Sequence, residues 1–256
     1  MKITILGSGT IVSDSERNPA GFLLRTKDAF ALLDCGPGVL HRLKKVKISA
    51  LQLDTVFLTH FHLDHCADVF PLLMNRALLK KGVNRHLTIV GPSGLKEWFD
   101  QIAQTQGSWL SEEWPNLVEL DDNPFSWSGL VIRHWANGHT SKSVSYRFEE
   151  KGNSVFFSGD CGYSEELVRF AQNVKLAFIE CSYPDENPQE GHLTPKKTAL
   201  LAEEAGVKQL VLIHIYPEND TPDLAGRVEK YFSGKVVVGK DYLKLDSDEI
   251  WQQRLT

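Results

Sequence analysis

Apolar residues recur along this chain in short dense runs rather than in long amphipathic stretches. KITILG, GFLLRT, AFALLDCG, TVFLTH, HLTIVGP, LVIRHW, SVSYRF, SVFFSGD, LAFIEC, QLVLIHI and KVVVGKDYLKL each read as strands. Several are nearly continuous in valine, isoleucine, leucine and phenylalanine, the pattern of a sheet covered on both faces. Helical periodicity lies between some of the runs, most clearly over 66–80, 93–105, 194–206 and 221–232. The third of these has Thr194 as N-cap, Pro195 at the first helical position and Gly206 at its end. Strands precede helices in the first half, and the second half repeats the mixture. The pattern predicts an α/β protein with two mixed sheets packed face to face and helices outside, a four-layer αββα sandwich rather than a doubly wound parallel sheet. No low-complexity segment or linker divides the chain, so residues 1–256 read as one domain.

Residues 107–129 interrupt this rhythm. They carry Trp109, Trp114, Phe125 and Trp127 with five acidic residues and no basic one. They read as a surface excursion whose aromatics pack down onto the core, with a lid over a site as the alternative.

Composition narrows the function classes. Hydrophobic content of 42% with 24% charged residues is ordinary for a soluble globular protein. A formal charge of −5 and a pI near 6.0 give no global attraction to nucleic acid or anionic lipid. No apolar run approaches the roughly 20 residues of a membrane span, and MKITILGSGT lacks a signal peptide's long apolar region. The four cysteines, Cys35, Cys66, Cys161 and Cys181, lack the spacing of a zinc knuckle or a dense disulfide framework. A reduced, cytoplasmic protein is the expectation.

The chemistry concentrates in LTHFHLDHC, residues 58–66. His60, His62, Asp64 and His65 follow a strand-like run, so the loop after it can aim them at one point. Neutral imidazoles with a carboxylate suit zinc or a similar divalent ion. Four ligands make one closed structural site or parts of two catalytic ones, since a catalytic ion leaves a position to water. An incidental histidine-rich loop is the alternative, and the H-x-H-x-D-H spacing argues against it.

That spacing resembles the signature of the metallo-β-lactamase superfamily, whose later ligands are a His, an Asp and a His near strand ends. His139 in NGHTSKS, Asp160 in VFFSGDCG and His214 in LVLIHIYP stand in that order. The resemblance implies two divalent metal ions, with zinc the first candidate and manganese, iron or nickel accommodated by the same donors. It assigns His60, His62 and His139 to one ion and Asp64, His65 and His214 to the other, with Asp160 bridging. Asp34 in LLDCG takes the place of the carboxylate that supports the ligand loop from behind the metal. One position departs from the pattern: Asp68 stands where many relatives have a glycine three residues after the cluster.

Within the superfamily the chain is most similar to the ribonuclease Z-like phosphodiesterases. ILGSGTIVSDSERNPAGFLL, with Arg17 and Asn18, resembles their opening turn. EGHLTPKKTALLAEEAGVKQLVLIH resembles their His-Leu-Thr helix start and final ligand strand. The likeness gives His192, which is not a ligand, a place facing the scissile phosphate, and makes Asp64 and His192 the catalytic residues. Two ions about 3.5–4 Å apart activate water and clamp phosphoryl oxygens, and His192 would protonate the departing alkoxide, a step worth about 10²–10⁴-fold. Homodimerisation is implied by the family likeness alone.

Weaker candidates surround this set. Glu180, Asp185 and Glu186 are candidates to orient His192, although an acid-rich solvated loop is the plainer account. Cys66 and Cys161 adjoin ligands but read as buried thiols. Lys142 and Arg17 are candidate phosphate contacts. Ribonuclease Z proper grips tRNA with a basic, Gly/Pro-rich arm that this sequence lacks. Its basic clusters, RLKKVK at 42–47 and RALLKKGVNR at 76–85, read as polar helix faces or turns. The expected substrate is therefore a small or cyclic phosphodiester or short nucleic acid. A tRNA 3′-processing endonuclease, a carboxyl-ester or lactone hydrolase and a non-catalytic metal-binding assembly protein are the alternatives.

Overall fold

A computed structural model describes residues 1–79, 86–150 and 152–248 of the chain. The first sheet begins with β1 (Lys2–Gly7), β2 (Gly21–Arg25) and β3 (Phe30–Cys35), paired antiparallel. After α1 (Val39–Lys45), the strands β4 (Thr55–Phe57), β5 (Thr88–Gly91) and β6 (Asn116–Glu119) extend it in parallel. Between β4 and β5 lie α2 (Leu63–Cys66) and α3 (Val69–Leu79), and α4 (Leu95–Ala103) follows β5. The second sheet repeats the plan. β7 (Phe125–Trp127), β8 (Leu130–Ala136), β9 (Val144–Glu150) and β10 (Asn153–Phe157) are antiparallel. β11 (Leu176–Glu180), β12 (Gln209–Ile213) and β13 (Lys235–Val238) then run parallel to β10, alternating with α5 (Glu165–Phe170), α6 (Pro195–Glu204) and α7 (Leu224–Glu229).

The near-continuous apolar strands follow from this layering, because successive side chains enter different cores. Along β10 to β12, Val155, Phe157, Leu176, Phe178, Val211 and Ile213 point between the sheets. Their neighbours Phe156, Ala177, Ile179, Leu210 and Leu212 point outward beneath α5, α6 and α7. Leu23, Leu32 and Val56 do the same beneath α1, α3 and α4. Aromatic rings dominate the inter-sheet layer: Phe157 stacks on Phe178 at 4.5 Å, and Phe57 meets Phe148 edge-on at 5.4 Å. The four-layer αββα sandwich is thus realised.

Four local expectations change. The helix predicted over 66–80 is two, broken at Ala67–Asp68, with residue 80 outside the described residues. The Asp68 backbone N–H bonds the Cys35 carbonyl, and its side chain accepts from the Leu40 N–H at 3.0 Å, serving the start of α1. That use gives the Asp68 carboxylate a structural task of its own. The run KVVVGKDYLKL splits between sheets: β13 ends at Val238, and β14 (Lys244–Asp246) pairs with β1 across the molecule, Ile3 opposite Leu245. A Cβ at Gly239 would lie 2.5 Å from the Leu212 carbonyl, so only glycine lets the chain cross there.

Residues 107–129 are built into the sheets rather than looped out of them. They contain the outer strands β6 and β7 and carry the chain from one sheet to the other. Leu110 and Trp127 are buried, and Glu113 forms a 2.8 Å ion pair with buried Arg76, so the packed-down expectation holds for most of the segment. Trp114 keeps 46% exposure while meeting Phe99 edge-on. Finally, α7 starts at Leu224 rather than near 221. No helix of the described residues is long and apolar enough to cross a membrane.

Candidate metal centre

Parallel strands in both sheets end along one edge, the usual place for a site in such sheets. Asp34 lies at the end of β3, Thr59 and His60 just past β4, and Asp160 just past β10. Glu180 ends β11, and His214 follows β12. His139 comes from the β8–β9 connection, where Asn137 anchors the loop by donating to the Ser158 carbonyl at 2.9 Å. Gly36 permits the close approach of β3 to the histidine loop, because a Cβ there would sit 1.9 Å from the Asp64 carbonyl. Asp34 and His214 both adopt left-handed backbone, φ 57° and 50°, as residues at functional sites often do.

The hydrogen bonds behind the histidines fix which nitrogen faces forward. His65 Nδ1 lies 2.7 Å from the Asp34 carboxylate, and His139 Nδ1 lies 3.0 Å from the Gly191 carbonyl. Both partners accept, so both imidazoles carry the proton on Nδ1 and present Nε2. Thr59 Oγ donates to Asp34 and lies 3.0 Å from His60 Nδ1, which gives His60 the same orientation. Ser182 Oγ donates to Glu180 and lies 3.0 Å from His214 Nδ1. A metal-binding histidine needs this outer partner to hold its ring and tautomer.

The forward atoms converge in two groups sharing Asp160. His60, His62, His139 and Asp160 form one, and Asp64, His65, Asp160 and His214 the other, with donor atoms within 4.8 Å of one another in each. Asp160 Oδ1 is 3.2 Å from His65 Nε2 and 3.3 Å from His214 Nε2, while Oδ2 is 3.8 Å from both His60 and His139 Nε2. His62 Nδ1 is 3.1 Å from His139 Nε2 at the open side. Every residue that the sequence nominated as a ligand is therefore brought together.

This donor set fits divalent ions. His60 Nε2, His65 Nε2 and Asp160 Oδ1 are buried with no partner in hydrogen-bond geometry among the described residues, and such atoms need compensation. Asp34, Asp64 and Asp160 place three buried carboxylates in one cluster. Burial opposes charge on Asp64, yet the hydrogen bond and charge of His214, with the charge of His65, hold it below the ordinary carboxylate range. Burial likewise opposes charge on Asp160, but His214 and His65 hold it well below that range. Burial, then the neighbouring charge of His65, pushes His60 well below the usual histidine value. Its imidazole stays neutral, as a ligand requires.

His192 stands beside both groups. Its ring lies 4.6 Å from that of His139 and stacks on His214 at 5.7 Å with an 8° interplanar angle. Fully buried Glu180 holds its Nδ1 at 3.1 Å while accepting from the N–H groups of Cys161 and Leu193. Glu180 is the functional residue that the sequence placed least well, grouped with a solvated acidic loop. The signal was its position at the end of the buried run LAFIE. Its companions Asp185 and Glu186 instead pair with Arg227 at 3.4 and 2.9 Å.

Other nominated residues have structural work. Arg17 is 5% exposed and forms a 2.6 Å ion pair with Asp220, with Ser8 Oγ and the Gly239 carbonyl accepting its other protons. It is not free to meet a phosphate. Lys142 is an exposed partner of Glu97 at 3.8 Å. Burial raises the Cys66 thiol to about 12, and the Cys161 thiol well above its usual value, so both remain protonated buried groups. The basic stretch 76–85 falls mostly outside the described residues.

Comparison with known proteins gives concordant results. The Beta-lactamase superfamily domain matches residues 31–215. The ribonuclease Z of Methanosarcina mazei is 26% identical over 302 residues, covering 96% of this chain and 98% of its own. The metallo-beta-lactamase fold protein YhfI of Bacillus subtilis is 26% identical over 248 residues, covering 94% of this chain and 97% of its own. The YhfI crystal structure superposes with a TM-score of 0.85 at 24% identity, over 95% of this chain and 98% of that one. Human tRNase Z, short form, superposes with a TM-score of 0.77 at 22% identity, over 96% of this chain and 99% of its own.

Proposed function

From the premise that this chain belongs to the beta-lactamase superfamily and is a metal-dependent hydrolase related to ribonuclease Z, we propose that it cleaves a small or cyclic phosphodiester or a short oligonucleotide. His60, His62, His139 and Asp160 would hold one divalent ion, and Asp64, His65, Asp160 and His214 a second. Asp34 fixes His65 from behind. Zinc is the first candidate for both positions, and such donors also accept manganese, iron or nickel. When bound, the ions acidify water and offset charge on the phosphoryl oxygens.

The chain's own groups carry the remaining chemistry. Water adds through oxygen to phosphorus as the bond to the leaving oxygen breaks. His192 Nε2, engaged by no hydrogen bond among the described residues, gives its proton to that leaving oxygen. Asp64 Oδ1, likewise unengaged, is placed to take the proton that the water loses. The observation that carries the reading is His192, poised beside both ligand groups with its Nδ1 fixed by buried Glu180. Ester and lactone carbonyls make less demand on a donor at that place.

The segment 107–129, built into the sheets and acidic, offers no basic arm for a large tRNA, which favours a small substrate. Residues 1–256 act as one hydrolase unit in this reading, and four unpaired cysteines agree with a reducing cytoplasm. The test is hydrolysis of bis-p-nitrophenyl phosphate beside a lactone by metal-loaded protein. Diester turnover is expected, and none with zinc, manganese or iron would overturn the proposal.

A further inference from the structure

The side of the cleft on which His192 stands is lined by two tyrosines that the reaction itself does not use. They arise from strand register. In the parallel pair β11–β12, Glu180 lies opposite Ile213, and the Cys181 and Tyr216 N–H groups continue the ladder to the Ile213 and Ser182 carbonyls. Three places further on, Tyr183 and Tyr216 fall side by side. Their rings stack at 4.4 Å with a 24° interplanar angle.

This pair adjoins the catalytic histidine directly. The Tyr183 ring meets His192 edge-on at 5.5 Å, and the Tyr216 ring meets His214 edge-on at 5.7 Å and His192 at 6.3 Å. Both tyrosines are only half-buried while lying beside the imidazole. A group protonated by His192 Nε2 therefore has both tyrosine rings close to the imidazole that serves it. Flat rings gain from stacking on such surfaces, whereas a short alkyl group gains little.

We propose that Tyr183 and Tyr216 form the subsite for the leaving alcohol and select one that bears a planar ring, as a nucleoside does. The inference rests on the phosphodiesterase assignment and deepens it: the base on the leaving side is bound, and the other half of the diester is held through its phosphate alone. Stacking on an aromatic side chain contributes roughly 5- to 150-fold in binding.

The experiment uses metal-loaded full-length chain and three dinucleotides: one with both bases, one abasic on the 3′ side and one abasic on the 5′ side. The leaving oxygen is identified from the products and is unchanged by base removal. Wild-type protein is expected to show a KM raised about 10-fold or more when the leaving nucleoside is abasic, with little change when the retained one is. Tyr183→Ala and Tyr216→Ala should remove that preference by raising KM for the complete dinucleotide alone, while Tyr183→Phe keeps it. Equal wild-type KM for the complete and leaving-side abasic substrates overturns the inference without any variant, while turnover of both leaves the phosphodiesterase assignment standing. Turnover of none of the three, together with none of bis-p-nitrophenyl phosphate, overturns the assignment and the inference with it.

Discussion

Glu180 Oε1 lies 3.1 Å from His192 Nδ1, joining a fully buried carboxyl side chain to an imidazole at the mouth of the cleft. Burial pulls the His192 imidazolium down, but the hydrogen bond and charge of Glu180, with Asp160 and Asp64 beyond, raise it above the ordinary histidine value. A raised value keeps the acid form present to higher pH and loses it as pH rises through that value. In Glu180→Gln the fall of kcat with rising pH should begin at lower pH. Above that lowered value its kcat on an alkyl phosphodiester should drop toward the roughly 10²–10⁴-fold loss of missing acid catalysis, with KM little changed. Adding His192→Ala should cost little more, and pH profiles of kcat for the three proteins check this.

Asp34 acts on His65 rather than on substrate. It accepts from His65 Nδ1 and from the N–H and hydroxyl of Thr59, which sets the first turn of the histidine loop. Asp34→Asn should weaken divalent-metal affinity about 10- to 100-fold while leaving kcat near normal at saturating metal. A competition titration against a chelator, run beside kinetics at two metal concentrations, separates the effects.

Arg17 and Asp220 tie the loop before β2 to the segment after His214. Arg17→Ala leaves Ser8 and Gly239 acceptors without their donor and should lower stability by about 1–3 kcal/mol. The hydrogen bond from Arg17 holds Asp220 below the ordinary carboxylate value, burial opposing it only in part. Its contribution is therefore present above the unfolded value near 3.8 and lost as pH falls through the lower folded value. Urea midpoints of wild type and Asp220→Asn should converge as pH drops below about 4.

Phe57 lies three residues before His60 with its ring in the inter-sheet core, edge-on to Phe125, Trp127, Tyr146 and Phe148. Phe57→Ala should cost about 3–5 kcal/mol, and Phe57→Leu considerably less with metal stoichiometry preserved. Chemical denaturation and metal analysis of the two variants report stability and site integrity separately.

Much of this was legible in the chain because each layer leaves its own mark. Strands such as LAFIE and QLVLI are apolar at four of their five positions since both faces are covered, and that density announced two enclosed sheets. The candidate ligands were legible for a related reason: His60, Asp160 and His214 closely follow apolar runs. What escaped depended on contacts between distant segments. Nothing local in KVVVGKDYLKL tells that Val238 ends one sheet and Lys244 joins the other, because the switch is enforced by the Leu212 carbonyl against Gly239. Arg17 looks like a free cation until Asp220 is brought beside it. Glu180 resembles its acidic neighbours in composition and differs only in lying within a buried strand, opposite Ile213.

The central claim is that His192 donates a proton to the leaving oxygen of a phosphodiester. The most direct measurement is kcat/KM of wild-type and His192→Ala protein, both metal-loaded, on two diesters of the same phosphate with p-nitrophenol or an alkyl alcohol as leaving group. The account predicts a loss of roughly 10²–10⁴-fold on the alkyl diester and a far smaller one on the p-nitrophenyl diester, whose leaving group needs no acid. Equal losses on both substrates would contradict it.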